Sequence, residues 1–266
     1  MMLRPRDLIP GLLLVVLQAD LMGGRVAAEP PATPPAAASQ YPAQTPQAGA
    51  PPAYDPSERY ERRQIEGWTI RLHTGFEAAQ PELCGETLAL VGDQLRQIVR
   101  KVPKEAVEKL RAIPIWVEEA EPHHPCMCYH PDPNWLNGNG MNPEKARCVE
   151  LANAKNFLSW TKQQPWMILH ELAHGYHHQF VDGGYDHPEL ADCLNRARDE
   201  KLYDAVLRIN GRDDRAYALT NQQEYFAEQT EAYFGTNDFF PFVRPELARH
   251  DPRMYALIEK LWGVAP

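Results

Sequence analysis

The sequence predicts an α+β fold in which a small mixed sheet packs against helices within a single domain. Short runs with strand character lie in the first half of the folded region, and longer segments with helical periodicity fill the second half. The chain has 266 residues and a hydrophobic content of 44%, which is enough to bury a core.

Three short segments have the pattern of strands. Residues 67–73, "GWTIRLH", alternate apolar and other side chains, and residues 113–119, "IPIWVEE", form a second apolar run. Residues 148–154, "CVELANA", are the third. This last segment is interpreted either as an edge strand that accepts an extended peptide or as an ordinary core strand, which we favour. Residues 120–146 are rich in Pro, Asn and Gly and predict a long irregular segment.

Helical periodicity is typical of the remaining long segments. In the first of them, apolar residues recur at 88, 91, 95, 98 and 102 on one stripe. In the second, Pro165 suits the first helical position and Gly183-Gly184 supplies a stop. Helices are predicted at residues 81–102, 165–181, 187–209, 221–234 and 252–262.

The N-terminal region predicts export. Residues 1–28 begin with the basic residues Arg4 and Arg6 and continue with an apolar stretch and small residues before a cleavage point after Ala28, as in a secretory signal peptide; a short membrane anchor is the alternative. Residues 29–56 contain nine prolines and predict a disordered spacer, which leaves 57–266 as the folded domain. We therefore expect a secreted, periplasmic or cell-envelope protein with no membrane span after signal cleavage.

The charge and the cysteines narrow the class further. A formal net charge of −9 argues against a nucleic-acid-binding protein. Behind a signal peptide, the five cysteines favour disulfides over free thiols. In "HHPCMCYH", residues 123–130, two cysteines stand one residue apart, which is poor spacing for structural zinc. A Cys128–Cys148 disulfide is therefore favoured over a second metal site, although sequence alone does not fix the pairing.

The motif His170-Glu171-Leu172-Ala173-His174 is HExxH. On a helix its two histidines lie one turn apart on the same face, so both imidazoles reach one zinc ion. The intervening Glu171 is placed to take a proton from zinc-bound water. His177 and His178 lie too far along the helix to bind the same ion. We expect them, and His177 in particular, near the ligands or in the cleft wall; ordinary packed or solvated histidines are the alternative.

The third zinc ligand is predicted on the helix at 221–234. There, Glu224, Glu228 and Glu231 form one stripe, and three stacked carboxylates repel one another unless a cation faces them. Glu224 is the predicted ligand, and Glu228 is predicted to accept a hydrogen bond from a zinc-bound histidine. A capping box with Asn221 is the alternative role for Glu224.

HExxH followed downstream by "EYFAE" resembles the gluzincin metallopeptidases, and more narrowly the catalytic domains of anthrax lethal factor and the bacterial Pro-Pro endopeptidases. The longer run "EYFAEQTEAYFGTNDFFPFVRPEL" is similar to related uncharacterised secreted peptidase homologues. In the narrower group a tyrosine seven residues before the glutamate ligand assists catalysis, and Tyr217 occupies that position here.

The resemblance implies a zincin-like active-site helix in a single catalytic domain, and a zinc peptidase with one Zn²⁺ per chain. His170, His174 and Glu224 would hold the ion, Glu171 would be the base and Tyr217 would stabilise the oxyanion. The expected partner is a peptide or protein substrate, and the expected state is a monomer. The alternative is a catalytically inactive zinc-binding interaction or scaffold domain of the cell envelope.

Overall fold

The fold is built around a mixed sheet of five strands. The computed structural model describes residues 54–264. The predicted signal peptide, residues 1–28, and the spacer up to residue 53 lie outside the described residues. The strands of the sheet are β1 Tyr60–Ile65, β2 Trp68–His73, β3 Ile115–Val117, β4 Met127–Tyr129 and β5 Val149–Leu151. Their order is β1-β2-β3-β5-β4; β2, β3 and β5 are parallel, and the two outer strands are antiparallel to their neighbours.

Ten α-helices accompany the sheet within residues 54–264, together with a small ribbon of β6 Val206–Leu207 and β7 Asp213–Asp214. The helices are α1 Thr74–Ala79, α2 Pro81–Lys101, α3 Lys104–Arg111, α4 Pro133–Gly138, α5 Ala154–Trp160, α6 Met167–Phe180, α7 Pro188–Asp199, α8 Gln222–Phe234, α9 Arg244–His250 and α10 Pro252–Trp262. In this part of the chain, no helix combines the length and the apolar character that crossing a lipid bilayer requires.

The hairpin between β1 and β2 shows how local sequence sets the sheet. Its two-residue turn, Glu66-Gly67, has φ angles of 51° and 90°, as a tight hairpin requires. The Arg111 guanidinium donates two hydrogen bonds to the Glu66 carbonyl, at 3.0 and 2.8 Å. A Cβ atom on Gly67 would lie 2.5 Å from the Arg111 Nε atom. Glycine therefore suits this position both for its positive φ angle and for the close approach of Arg111.

The predicted combination of a small mixed sheet with helices is confirmed. Residues 148–154, which were considered as a peptide-accepting edge strand, do not lie at an edge of the sheet. β5, within 148–154, lies between β3 and β4, which confirms the core-strand interpretation. The edge strand on this side of the sheet is β4, inside the segment 120–146 that was wrongly predicted to be irregular throughout. With three residues, β4 is too short for an alternating pattern to be visible in sequence.

Two details of the helix prediction are also wrong. The segment 187–209 is helical only to Asp199; Lys201 adopts a positive φ of 55°, and the chain then forms β6. Pro165 does not occupy the first turn, because α6 begins at Met167 after an N-cap at Trp166. The other four predicted helices agree with the structure to within a few residues at each end.

The two faces of the sheet differ in what covers them. Ile70, Ile115 and Val149 share one register row, are fully buried and belong to the main core with α2 and α6. Trp116 and Glu150 occupy the next row and therefore point to the opposite face, here called the outer face. Trp116 packs there in a separate small cluster with Tyr60 and Cys148.

The predicted Cys128–Cys148 disulfide is wrong, since all five cysteines of the described residues are free. The register places Cys128 opposite Glu150, which makes Cys128 and Cys148 diagonal neighbours. Diagonal Cα atoms in an antiparallel pair lie about 7–8 Å apart. A disulfide needs roughly 4.4–6.8 Å, so the strand pairing separates the two sulfurs.

Candidate metal centre

The three predicted zinc ligands converge between α6 and α8. These helices pack side by side, and an Oε2 atom of Glu224 lies 3.1 Å from Nε2 of His170 and 3.3 Å from Nε2 of His174. The rings of the two histidines are nearly perpendicular, at 83°, with centroids 4.8 Å apart. Two imidazole nitrogens and one carboxylate oxygen therefore point toward a single position.

Local sequence places both helices at this position. Asn221 is the N-cap of α8, and its side chain accepts a hydrogen bond from the Glu224 N–H at 2.8 Å. The Glu224 carboxylate faces the histidines, so its backbone takes part in the cap while its side chain reaches the site. On α6, Gly175 lets the helix lie close to the sheet, because a Cβ atom there would be 2.7 Å from Ile113 and 3.0 Å from Tyr129.

The donor set fits zinc. Tetrahedral zinc with bonds of about 2.0–2.1 Å separates neighbouring ligand atoms by roughly 3.3 Å, close to the spacing around Glu224. Burial lowers the pKa of His170, but hydrogen bonds to Glu224 and Glu231 outweigh burial, and the net shift is well upward. Burial raises the pKa of Glu224, but the interactions with His174 and His170 lower it by more than burial raises it. The net result is a pKa well below its usual range. The pocket thus favours positive charge beside an ionised carboxylate.

The outer nitrogen of His170 is held by a different glutamate from the one predicted. Nδ1 of His170 lies 2.7 Å from Oε1 of Glu231 and 3.9 Å from Oε1 of Glu228. Burial and the carboxylates of Asp238 and Glu231 raise the pKa of Glu228 well above its usual value. Glu231 therefore makes the contact with His170 that was predicted for Glu228, and Glu228 is a buried acid farther from that nitrogen.

Glu171 lies beside the histidines without joining the converging set. Burial raises the pKa of its carboxyl group, and the imidazoles of His174 and His170 lower it; the net shift is upward. The main chain of Tyr129, on the edge strand β4, also interacts with this carboxylate. A carboxylate with a raised pKa next to a metal position is suited to accept a proton.

Two tyrosines approach the same carboxylates. Tyr217, in the short 3-10 helix Tyr217–Leu219 before α8, has its pKa raised by burial and by Glu224 and Glu171. Tyr185 was not predicted: its hydroxyl donates to the main-chain oxygen of His174 at 3.3 Å, and its pKa is raised by burial and, to a smaller extent, by the same two carboxylates. No motif spacing connects Tyr185 to HExxH. Its position near the site depends on how the chain folds back after α6, which the sequence does not show.

The other two histidines of α6 turn away from the converging atoms. His177 is fully buried between the rings of Tyr185 and Phe226, at centroid distances of 5.0 and 4.9 Å, and burial lowers its pKa to about 3. Nδ1 of His178 lies 2.8 Å from the Tyr129 hydroxyl. His177 is therefore packed in the wall behind the site, and His178 connects α6 to the edge strand β4.

Comparison with known proteins gives no relative for this chain. No protein-family model, curated protein or solved structure matches this chain. A functional interpretation therefore depends on the chemistry and geometry of the residues themselves.

Proposed function

We propose that this chain is a secreted zinc-dependent peptidase in which His170, His174 and Glu224 hold the ion. The observation that carries the proposal is the approach of one Glu224 oxygen to both histidine nitrogens, at 3.1 and 3.3 Å, with Glu171 beside them and outside the ligand set. When bound, zinc would supply a Lewis acid for the scissile carbonyl and lower the pKa of water. Three protein ligands leave the fourth position open for that water.

The remaining residues would move protons and stabilise charge. Glu171 would accept a proton from water and pass it to the leaving amine, and its raised pKa supports both transfers. The hydroxyl of Tyr217 would donate a hydrogen bond to the oxyanion that forms on the substrate. Its raised pKa keeps that hydroxyl protonated, as a donor must be.

The edge strand β4 would position an extended peptide. His130 N–H donates to Cys148 O, and Ala152 N–H donates to Cys126 O, so alternate residues of this strand face β5. The main-chain groups of Met127 and Tyr129 therefore point to the free edge, where a substrate strand would add by hydrogen bonds. Since the main chain of Tyr129 also contacts Glu171, such a peptide would pass the proposed base.

The gluzincin resemblance, with the zincin-like active-site helix that it implies, favours a peptidase over another hydrolase. The alternative is a zinc-binding interaction or scaffold domain without catalysis. Such a domain needs His170, His174 and Glu224 but has no use for a partly buried carboxylate at Glu171 that is not a ligand. Glu171 therefore favours the enzyme.

A peptide-library digest combined with metal analysis tests the proposal. The zinc-loaded wild type should cleave peptides, lose activity on chelation and regain it with zinc. His174→Ala should lose this zinc and the cleavage, whereas His123→Ala, at an exposed histidine outside the site, should keep both. A wild type that binds zinc at His170 and His174 but cleaves no peptide would support the interaction domain instead.

A further inference from the structure

A second group of metal-binding side chains lies on the outer face of the sheet. Cys128 of β4 faces Glu150 of β5, and His130, two residues on, points to the same face. His124 precedes β4, and its ring packs on that of His130 with centroids 5.2 Å apart. We call these four residues the edge-strand cluster.

The ligand atoms of the edge-strand cluster already lie close together. Nε2 of His130 is 2.6 Å from Oε2 of Glu150 and 3.4 Å from Sγ of Cys128, and the four ligand atoms all lie within 4.8 Å of one another. His130 and Glu150 are almost completely buried. Nε2 of His124 is buried too and has no hydrogen-bond partner among the described residues, although burying an unpaired polar atom is costly.

The charges around the edge-strand cluster leave room for a cation. Lys145 contacts the carboxylates of both Glu118 and Glu150, so one ammonium faces two acids. A thiolate at Cys128 would add a third negative charge, and a divalent ion would balance the group.

The poor spacing of Cys126 and Cys128 does not apply to this set. Cys126 faces the opposite side of the sheet, where its Sγ lies 3.3 Å from Sδ of Met167. The second cysteine ligand is replaced by Glu150, which strand pairing brings to Cys128. The sequence does not show this relationship, because the two residues are 22 positions apart.

We propose that His124, Cys128, His130 and Glu150 hold a second, structural divalent ion of the zinc class, giving two metal ions per chain instead of one. Two imidazoles, a thiolate and a carboxylate suit zinc and exclude calcium and magnesium, which prefer oxygen ligands. Four protein ligands close the site to water. On binding, the thiol proton of Cys128 and the proton shared by His130 and Glu150 leave to solvent. The ion fixes the edge strand to β5.

Cobalt(II) tests this site separately from the proposed catalytic site, because only the edge-strand cluster contains sulfur. Titration of the metal-free chain should reach two cobalt ions and produce a thiolate-to-cobalt charge-transfer band. Cys128→Ser should bind one ion without the band, whereas the neighbouring Cys148→Ser should keep both ions and the band. His170→Ala should lose one ion and keep the band.

A single cobalt ion without a charge-transfer band in the wild type overturns the second site, and so does a band that persists in Cys128→Ser. If circular dichroism shows that Cys128→Ser does not fold, His124→Ala replaces it: this variant keeps the thiolate but loses one of the four ligands, so cobalt should bind at this site more weakly than in the wild type, and unchanged binding overturns the site. The absence of peptide cleavage would contradict the proposed function and leave these outcomes unaffected, because the band reports only on the thiolate.

Discussion

Nδ1 of His170 lies 2.7 Å from Oε1 of Glu231, while Nε2 of the same ring lies 3.1 Å from Oε2 of Glu224. The imidazole therefore bridges two carboxylates that are two helical turns apart on α8. A carboxylate on the outer nitrogen fixes the tautomer and orientation of a histidine ligand and increases its basicity. Glu231 is thus expected to act on the metal through His170.

Glu231→Gln should weaken zinc binding at the proposed catalytic site by roughly 10–100-fold, the usual cost of losing such a partner. The matched control is Glu228→Gln, since Glu228 lies on the same helix but 3.9 Å from the His170 nitrogen. Competition with a chelator of known affinity measures both variants. Equal losses in the two variants, or a larger loss in Glu228→Gln, would contradict the assigned geometry.

Tyr217→Phe should leave zinc content unchanged and lower kcat by about 10²–10³-fold, as expected when a donor to the oxyanion is lost. Tyr185→Phe is the informative comparison, because Tyr185 approaches the same carboxylates but donates to the main chain of His174. Steady-state kinetics on one cleaved peptide separates the two roles. If Tyr185→Phe loses kcat and Tyr217→Phe does not, the roles are exchanged.

Gly175→Ala should destabilise the protein, although alanine favours helices by about 1 kcal/mol. The added methyl group would lie 2.7 Å from Ile113 and 3.0 Å from Tyr129. Such overpacking typically costs about 1–3 kcal/mol. A cost in the upper part of that range exceeds the gain in helix propensity and gives a clear net loss of stability. Gly85→Ala is the control, because no atom lies within 4 Å of its Cβ position in α2. Thermal unfolding should show a lower Tm for Gly175→Ala and an unchanged or higher Tm for Gly85→Ala; a Gly175→Ala protein as stable as Gly85→Ala would contradict the close packing of α6 on the sheet.

His177 should make the fold acid-sensitive. Burial lowers its pKa from 6.5 to about 3, so on acidification the unfolded chain takes up a proton before the folded chain does. Stability from His177 is complete above the unfolded pKa and is lost as pH falls toward the folded pKa. Glu118, whose pKa is raised to about 7 by burial and Glu150, acts in the opposite direction.

The difference between two proteins isolates the effect of His177. The wild type should lose more unfolding free energy than His177→Leu between neutral and mildly acidic pH, as measured by denaturant titration without metal. Glu118 contributes equally to both proteins and cancels. Identical pH profiles would show that His177 does not titrate differently on folding.

More of the candidate metal site than of the sheet could be predicted from the sequence. The spacing of His170 and His174 is a property of one helix and does not depend on the tertiary arrangement. The stripe of glutamates that contains Glu224 identifies the partner helix. The choice between Glu228 and Glu231 depends on how α8 is rotated against α6, which no spacing within one helix encodes. The edge strand β4 and the contact between Cys128 and Glu150 arise from long-range strand pairing. The three residues of β4 are too few to show a strand pattern in the sequence.

The rate of peptide cleavage by Glu171→Gln, compared with the wild type at equal zinc content, tests the central claim most directly. Glutamine keeps the size of the side chain but cannot accept the proton, so the variant should retain zinc at His170, His174 and Glu224. Its turnover should fall by at least roughly 10²–10⁴-fold, the range supplied by general acid–base catalysis. Glu189→Gln, at an exposed glutamate paired with Lys260, should cleave like the wild type. Cleavage by Glu171→Gln at the wild-type rate would contradict the mechanism.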